Sequence, residues 1–142
     1  MPHREKPLVL LVDDDKDLRD VLSTKLIANG FQVIEAAKGI EGIEKAKQFQ
    51  PDLILLDLEM PEVDGVETLN KLLSEPETKQ MRVVFLTNYG EPRNVSAWTD
   101  EKFARELGAI DYIKKTDDLD KIVGEVKMHV DTSAFPAFNP SP

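Results

Sequence analysis

The run Leu53-Ile54-Leu55-Leu56, followed by Asp57-Leu58-Glu59-Met60-Pro61, constrains the fold more than any other stretch of the chain. Four consecutive large aliphatics have no polar face, so they predict a strand covered on both sides, as in a parallel sheet between helical layers. Asp57 stands where that strand leaves the sheet. Pro61 has no amide hydrogen to extend a ladder and Gly65 is expected to supply left-handed angles, so the segment after Asp57 reads as a loop. Open parallel sheets bind their ligands at the carboxyl ends of the strands. Asp57 is therefore the leading candidate for a functional residue. Taken alone, it competes with an aspartate that merely ends a strand.

The rest of the chain repeats one alternation. Leu8 to Val12 is another unbroken aliphatic run, ending at Asp13-Asp14-Asp15, and Leu18, Val21, Leu22 and Leu26 follow at helical spacing up to Asn29-Gly30. Phe31 to Ala36 predicts a second strand, and Ile40, Ile43 and Ala46 a second helix that stops before Pro51. After the third strand, Leu53 to Asp57, the segment Asp64-Gly65-Val66-Glu67 has the form of a capping box. It opens a helix with Val66, Leu69, Leu72 and Leu73 as its apolar stripe. Arg82 to Thr87 predicts a fourth strand that closes on a hydroxyl, Asp100 to Leu107 a fourth helix ended by Gly108, and Ala109 to Lys114 a fifth strand. Leu119, Ile122, Val123, Val126 and Val130 mark a fifth helix, entered through Thr116 or Asp117 as cap.

Five strand–helix alternations predict an α/β fold, a parallel sheet with helices on both faces. Residues 1–130 are expected to form one domain, the simplest reading of a 142-residue chain. Residues 131–142 carry Phe135-Pro136 and Asn139-Pro140-Ser141-Pro142 without any period, and read as a flexible tail or a docking or linker segment. A formal net charge of -9 argues against non-specific binding to nucleic acid or anionic membrane. The absence of cysteine excludes disulfides, thiol catalysis and thiolate metal sites. The opening segment leads into only five apolar residues, Leu8 to Val12, too few for a signal peptide or a membrane span. A cytoplasmic location is the expectation.

Parallel strands bring Asp13, Asp14, Asp57, Thr87 and Lys114-Lys115 to one sheet edge. Three neighbouring carboxylates repel one another unless a cation is present. A donor set of oxygens alone suits a hard ion such as Mg²⁺. A lysine adds fixed positive charge that can pair with a phosphoryl oxygen, and a threonine hydroxyl can donate one hydrogen bond to it. The combination fits an aspartate that accepts a phosphoryl group, a transfer that rests on positioning and charge neutralisation.

At these residues the sequence resembles the receiver domains of bacterial two-component response regulators, the CheY-like superfamily. The matching pieces are Leu11-Val12-Asp13-Asp14, Leu55 to Pro61 with Asp64-Gly65, Phe85-Leu86-Thr87, and Gly108 to Lys115. The resemblance implies a flavodoxin-like (βα)5 fold with strand order 2-1-3-4-5. It implies that Asp57 is the phosphoacceptor, supplied from a phosphohistidine on a sensor histidine kinase or phosphotransfer protein. Asp14, Asp57 and the main-chain carbonyl of Glu59 would bind Mg²⁺ directly, and Asp13 through water. Thr87 would bond the phosphoryl group, the family lysine would fall on Lys115, and Tyr112 would be the aromatic whose rotamer follows phosphorylation. The face of the fourth helix, fifth strand and fifth helix would be the switching surface, and a possible homodimer contact.

Three features depart from the family pattern. Asn88 follows the threonine where a small residue is usual, and the stretch from Thr87 to the fifth strand is several residues longer than usual. Thr116 replaces the usual proline after the lysine, so the Lys115–Thr116 bond is expected to be trans.

Two other functions compete with phosphoacceptance. Asp13-Asp14-Asp15 also resembles the nucleophile motif of haloacid-dehalogenase-type phosphatases, with Asp13 as nucleophile and Asp15 as general acid; that reading gives Asp57 no role and has Asp117-Asp118 opening a helix instead of ending a strand. A degenerate receiver that binds partners without phosphate is the other. His3 and His129 are given no relay role, and Gly39 and Gly42 lack the context of a nucleotide loop.

Overall fold

The computed structural model describes residues 5–58, 65–87 and 108–134, the last four as backbone. The aliphatic runs are the strands β1 (Leu8–Val12), β2 (Gln32–Ala36), β3 (Leu53–Asp57), β4 (Val83–Thr87) and β5 (Asp111–Lys114). They form one sheet in the order β2-β1-β3-β4-β5, and every pairing is parallel. Helices α1 (Lys16–Ala28), α2 (Gly39–Phe49) and α3 (Gly65–Ser74) and the last helix (Leu119–Ala134) complete the described elements. This is the expected doubly wound architecture. The expected fourth helix, Asp100 to Leu107, lies outside the described residues.

The continuous runs are two-faced. Leu10, Val12, Ile54, Leu56, Val83 and Phe85 join Ile43, Ala46, Leu69 and Leu72 of α2 and α3 in one core cluster. Their alternate neighbours Val9, Leu11, Leu53, Leu55, Val84 and Leu86 join Leu22 and Leu26 of α1 and Ile122, Val126 and Val130 of the last helix in the other. The inner strands β1, β3 and β4 therefore send successive side chains into opposite layers, which is why their aliphatic runs stay unbroken up to Asp57 and Thr87. Replacing one such leucine by alanine would cost about 2–5 kcal/mol.

Several local expectations shift. β2 starts at Gln32, β4 at Val83 and β5 at Asp111, each later than the sequence suggested. Val21 and Ile40, expected on buried stripes, are 49% and 55% exposed. α1 turns Leu22, Ser23 and Leu26 inward, and α2 buries the small residues Gly39, Gly42 and Ala46 together with Ile43, which leaves Ile40 pointing outward. The last helix begins at Leu119, so Asp118 precedes it where Thr116 or Asp117 was expected to cap, and it runs on to Ala134, past the expected domain end at 130.

Gly65 acts for a different reason from the one inferred. The positive-φ glycines among the described residues are Gly30 and Gly108. At Gly65 a Cβ would strike the carbonyl oxygen of Asp57 and lie 2.7 Å from the Cα of Leu58. The glycine lets the start of α3 seat directly on the backbone of the functional strand, and its amide donates to the carbonyl of Leu58 at 3.0 Å. Asp64, the expected capping residue, lies outside the described residues.

Candidate functional site

The ladder hydrogen bonds continue one residue beyond the strands and fix the carboxyl edge of the sheet. Asp13 donates its amide to the Ala36 carbonyl (3.0 Å), Leu58 to Leu86 (2.9 Å) and Lys115 to Thr87 (2.8 Å). Register sets Asp57 opposite Leu86, and Thr87 opposite Lys114. The strand ends Asp57 and Thr87 and the first residues after β1 and β5, Asp13 and Lys115, are thereby placed by sheet geometry.

Asp13, Asp57 and Thr87 are all buried, at 0%, 1% and 2% exposure. Asp14 is exposed. Asp13, Asp14 and Asp57 each offer a carboxylate oxygen to a cluster whose atoms all lie within 4.8 Å of one another. The Lys115 ammonium reaches both buried acids, 2.9 Å from Asp13 Oδ2 and 3.0 Å from Asp57 Oδ1. Burial works to lower the pKa of Lys115. The hydrogen bond to Asp13 and the charges of Asp57 and Asp13 outweigh it, so the ammonium is held above its ordinary value of 10.5. The Lys115–Thr116 bond is trans, as expected, since the described residues contain no cis peptide.

Among the described residues, the three carboxylates outnumber the one ammonium that pairs with Asp13 and Asp57. The donor chemistry is oxygen only, compact and open to solvent at Asp14, and it fits a hard divalent ion.

Tyr112 packs, half-buried, against the core layer of α2 and α3. Glu59 and Asn88 lie outside the described residues, and so does His3. His129 Nε2 lies 3.0 Å from Asp111 Oδ2 at the seam of β5 and the last helix. Asp15, the general acid of the phosphatase reading, instead caps α1 by accepting from the Leu18 amide.

One group around the site was missed in the sequence. Arg19 donates through Nη1 to the main-chain carbonyl of Asp13 (2.7 Å) and through Nε to Glu35 Oε1 (3.0 Å). Ser23 Oγ donates to Glu35 Oε2 (2.8 Å). The available signals were faint: an arginine one turn after the helix cap, and a glutamate in a short apolar strand.

The comparisons with known proteins agree with this geometry. The profile of the response regulator receiver domain family matches residues 9–127. Sporulation initiation phosphotransferase F of Bacillus subtilis is 32% identical over 122 residues, covering 86% of this chain and 92% of that protein. The DNA-binding dual master transcriptional regulator RpaA of Synechocystis is 35% identical over 121 residues, 85% of this chain and 48% of that protein. The chain thus spans about half the length of RpaA but nearly all of the phosphotransferase. Among solved structures, a CheY-like response regulator receiver domain protein of Methanospirillum hungatei superposes with a TM-score of 0.77. It is 26% identical, over 93% of this chain and 99% of that one. With the parallel sheet in the order 2-1-3-4-5 and the acidic edge beside Lys115, these matches make the chain a member of the response regulator receiver domain family.

Proposed function

We propose that this chain is the phosphoacceptor of a His-Asp phosphorelay, taking a phosphoryl group on the carboxylate of Asp57. The observation that carries the reading is the buried Asp57 carboxylate held 3.0 Å from the Lys115 ammonium inside a cluster of three aspartates. The donor is a phosphohistidine on a sensor histidine kinase or a phosphotransfer protein. An Asp57 oxygen forms the new bond to phosphorus while the bond from phosphorus to the imidazole nitrogen breaks, and that nitrogen keeps the electron pair. Lys115 moves its charge onto a phosphoryl oxygen, and the Thr87 hydroxyl donates to another.

Receiver domains bind Mg²⁺ at an acidic pocket. Here Asp14, Asp57 and the Glu59 carbonyl would hold the ion directly and Asp13 through water. When bound, the ion supplies positive charge against the carboxylates and the phosphoryl group.

Phosphorylation adds about two negative charges to the edge. Thr87 follows the phosphoryl group, Tyr112 follows Thr87, and the surface of the expected helix at 100–107, β5 and the last helix changes. Such a switch redistributes an existing equilibrium. That surface is also where two copies would pair. Residues 1–130 would serve as the receiver domain and 131–142 as a tail whose first four residues continue the last helix. The place of action would be the cytoplasm, and the net charge of -9 supports action through protein contacts, without direct nucleic-acid or membrane binding. Among the described residues no helix is long and apolar enough to cross a membrane.

The test is Asp57→Asn incubated with acetyl phosphate and Mg²⁺. The wild-type chain is expected to acquire a hydroxylamine-labile phosphate and the variant none. Equal labelling of the variant contradicts the assignment, and a wild-type chain that takes up no phosphate favours a degenerate receiver.

A further inference from the structure

Asp13 and Asp14 are the first residues after β1, and at Asp14 the chain has passed the ladder bond that still holds Asp13 to the sheet. Asp13 retains one ladder bond, its amide to Ala36. Its carboxylate Oδ1 also accepts the Asp15 amide at 2.9 Å, which closes a tight local turn. The peptide that joins Asp13 to Asp14 has its own fastening. Its carbonyl oxygen, that of Asp13, accepts Nη1 of Arg19 at 2.7 Å, the shorter of the two hydrogen bonds this guanidinium makes.

Arg19 is itself held. Its Nε is bound to Glu35 Oε1 on the edge strand β2, and Ser23, one turn further along α1, occupies the other oxygen of that carboxylate. Lys45 of α2 donates to the main-chain carbonyl of Glu35. The side chain of Arg19 is 15% exposed, and Ser23 is buried. A relay of hydrogen bonds therefore runs from α2 through β2 and α1 to the Asp13–Asp14 peptide.

We propose that Arg19 is a positioning residue for the divalent ion: by clamping that peptide, it aims the exposed carboxylate of Asp14 into the cluster it forms with Asp13 and Asp57. The inference rests on the ion-binding reading above. Asp14 is the exposed member of the cluster. Its carboxylate keeps rotamer freedom, so the orientation of its backbone decides how much entropy ion binding costs. Arg19 is a cation beside a cation site, and on charge alone it would weaken binding. Its pairing with Glu35 cancels most of that effect and leaves the fork geometry as its contribution. A lysine has no planar fork with which to bond the Asp13 carbonyl and the Glu35 carboxylate in the same way.

This gives the test a sign. Mg²⁺ affinity is measured by calorimetry on the full chain without phosphodonor, with circular dichroism to confirm folding. Electrostatics alone predicts that Arg19→Met binds Mg²⁺ more tightly, because a positive charge has gone. Positioning predicts weaker binding, by about tenfold, as for other groups that orient metal ligands. Arg19→Lys keeps the charge and is expected to weaken binding too; it serves if the methionine variant does not fold. Unchanged or tighter affinity in whichever of the two folds, alongside loss of binding in Asp14→Asn, overturns the role of Arg19 and leaves the ion site standing. A wild-type chain that does not bind Mg²⁺ overturns both.

Discussion

The two edges of the sheet treat aspartate in opposite ways. At the amino edge, Asp52 precedes β3 and faces the start of β1. Its Oδ2 accepts the Leu8 amide at 2.8 Å while its own amide donates to the Leu8 carbonyl at 2.8 Å. That acid fastens two strands. At the carboxyl edge, Asp13 and Asp57 are buried beside a third carboxylate and lean on the single ammonium of Lys115. One edge ties its acid to a backbone donor. The other concentrates like charges that repel, an arrangement that costs stability and that the proposed cation and phosphoryl group would account for.

If that contrast is right, Lys115 holds the carboxyl edge together. Lys115→Met leaves two buried carboxylates without their cation, and about 3 kcal/mol of stability is expected to be lost at pH 7 in the absence of divalent ion. Urea unfolding of both proteins measures it. The pH dependence follows from the raised pKa of Lys115. A raised lysine pKa means that the stabilisation is complete below its ordinary value of 10.5 and disappears as pH rises through the higher folded value. The wild-type chain should show that alkaline decline and Lys115→Met should lack it. A loss below about 0.5 kcal/mol would make the pair an ordinary surface ion pair and remove the contrast.

The amino edge sharpens the comparison with a smaller effect. Asp52→Ala orphans the Leu8 amide and should cost about 1–2 kcal/mol in the same unfolding assay, with no change in Mg²⁺ affinity. A shift in Mg²⁺ affinity on this substitution would mean that the two edges are coupled.

The sequence made one edge far easier to read than the other. Runs such as Leu53-Ile54-Leu55-Leu56 admit few structures, and parallel pairing of such runs delivers whatever follows them to one place; Asp13, Asp57 and Lys115 were therefore legible. The Gly65 approach was misread because a glycine looks the same whether it serves a turn or a close contact, and only the seat of α3 on Asp57 and Leu58 tells them apart. Arg19 escaped notice because its decisive partner is a main-chain carbonyl, which every residue possesses and no side-chain pattern marks. Ile40 was placed on the buried stripe by its spacing, but the glycines of α2 set the helix rotation instead.

The most direct test of the central claim is the unfolding free energy of Asp57→Asn measured with and without Mg²⁺. Without the ion, removing one charge from the crowded edge should make the variant more stable than the wild-type chain by about 1 kcal/mol, the usual scale for relieving a like-charge repulsion. Saturating Mg²⁺ should stabilise the wild-type chain more than the variant and close that gap. A variant that is less stable than the wild-type chain without Mg²⁺, together with a wild-type chain indifferent to the ion, would contradict the account.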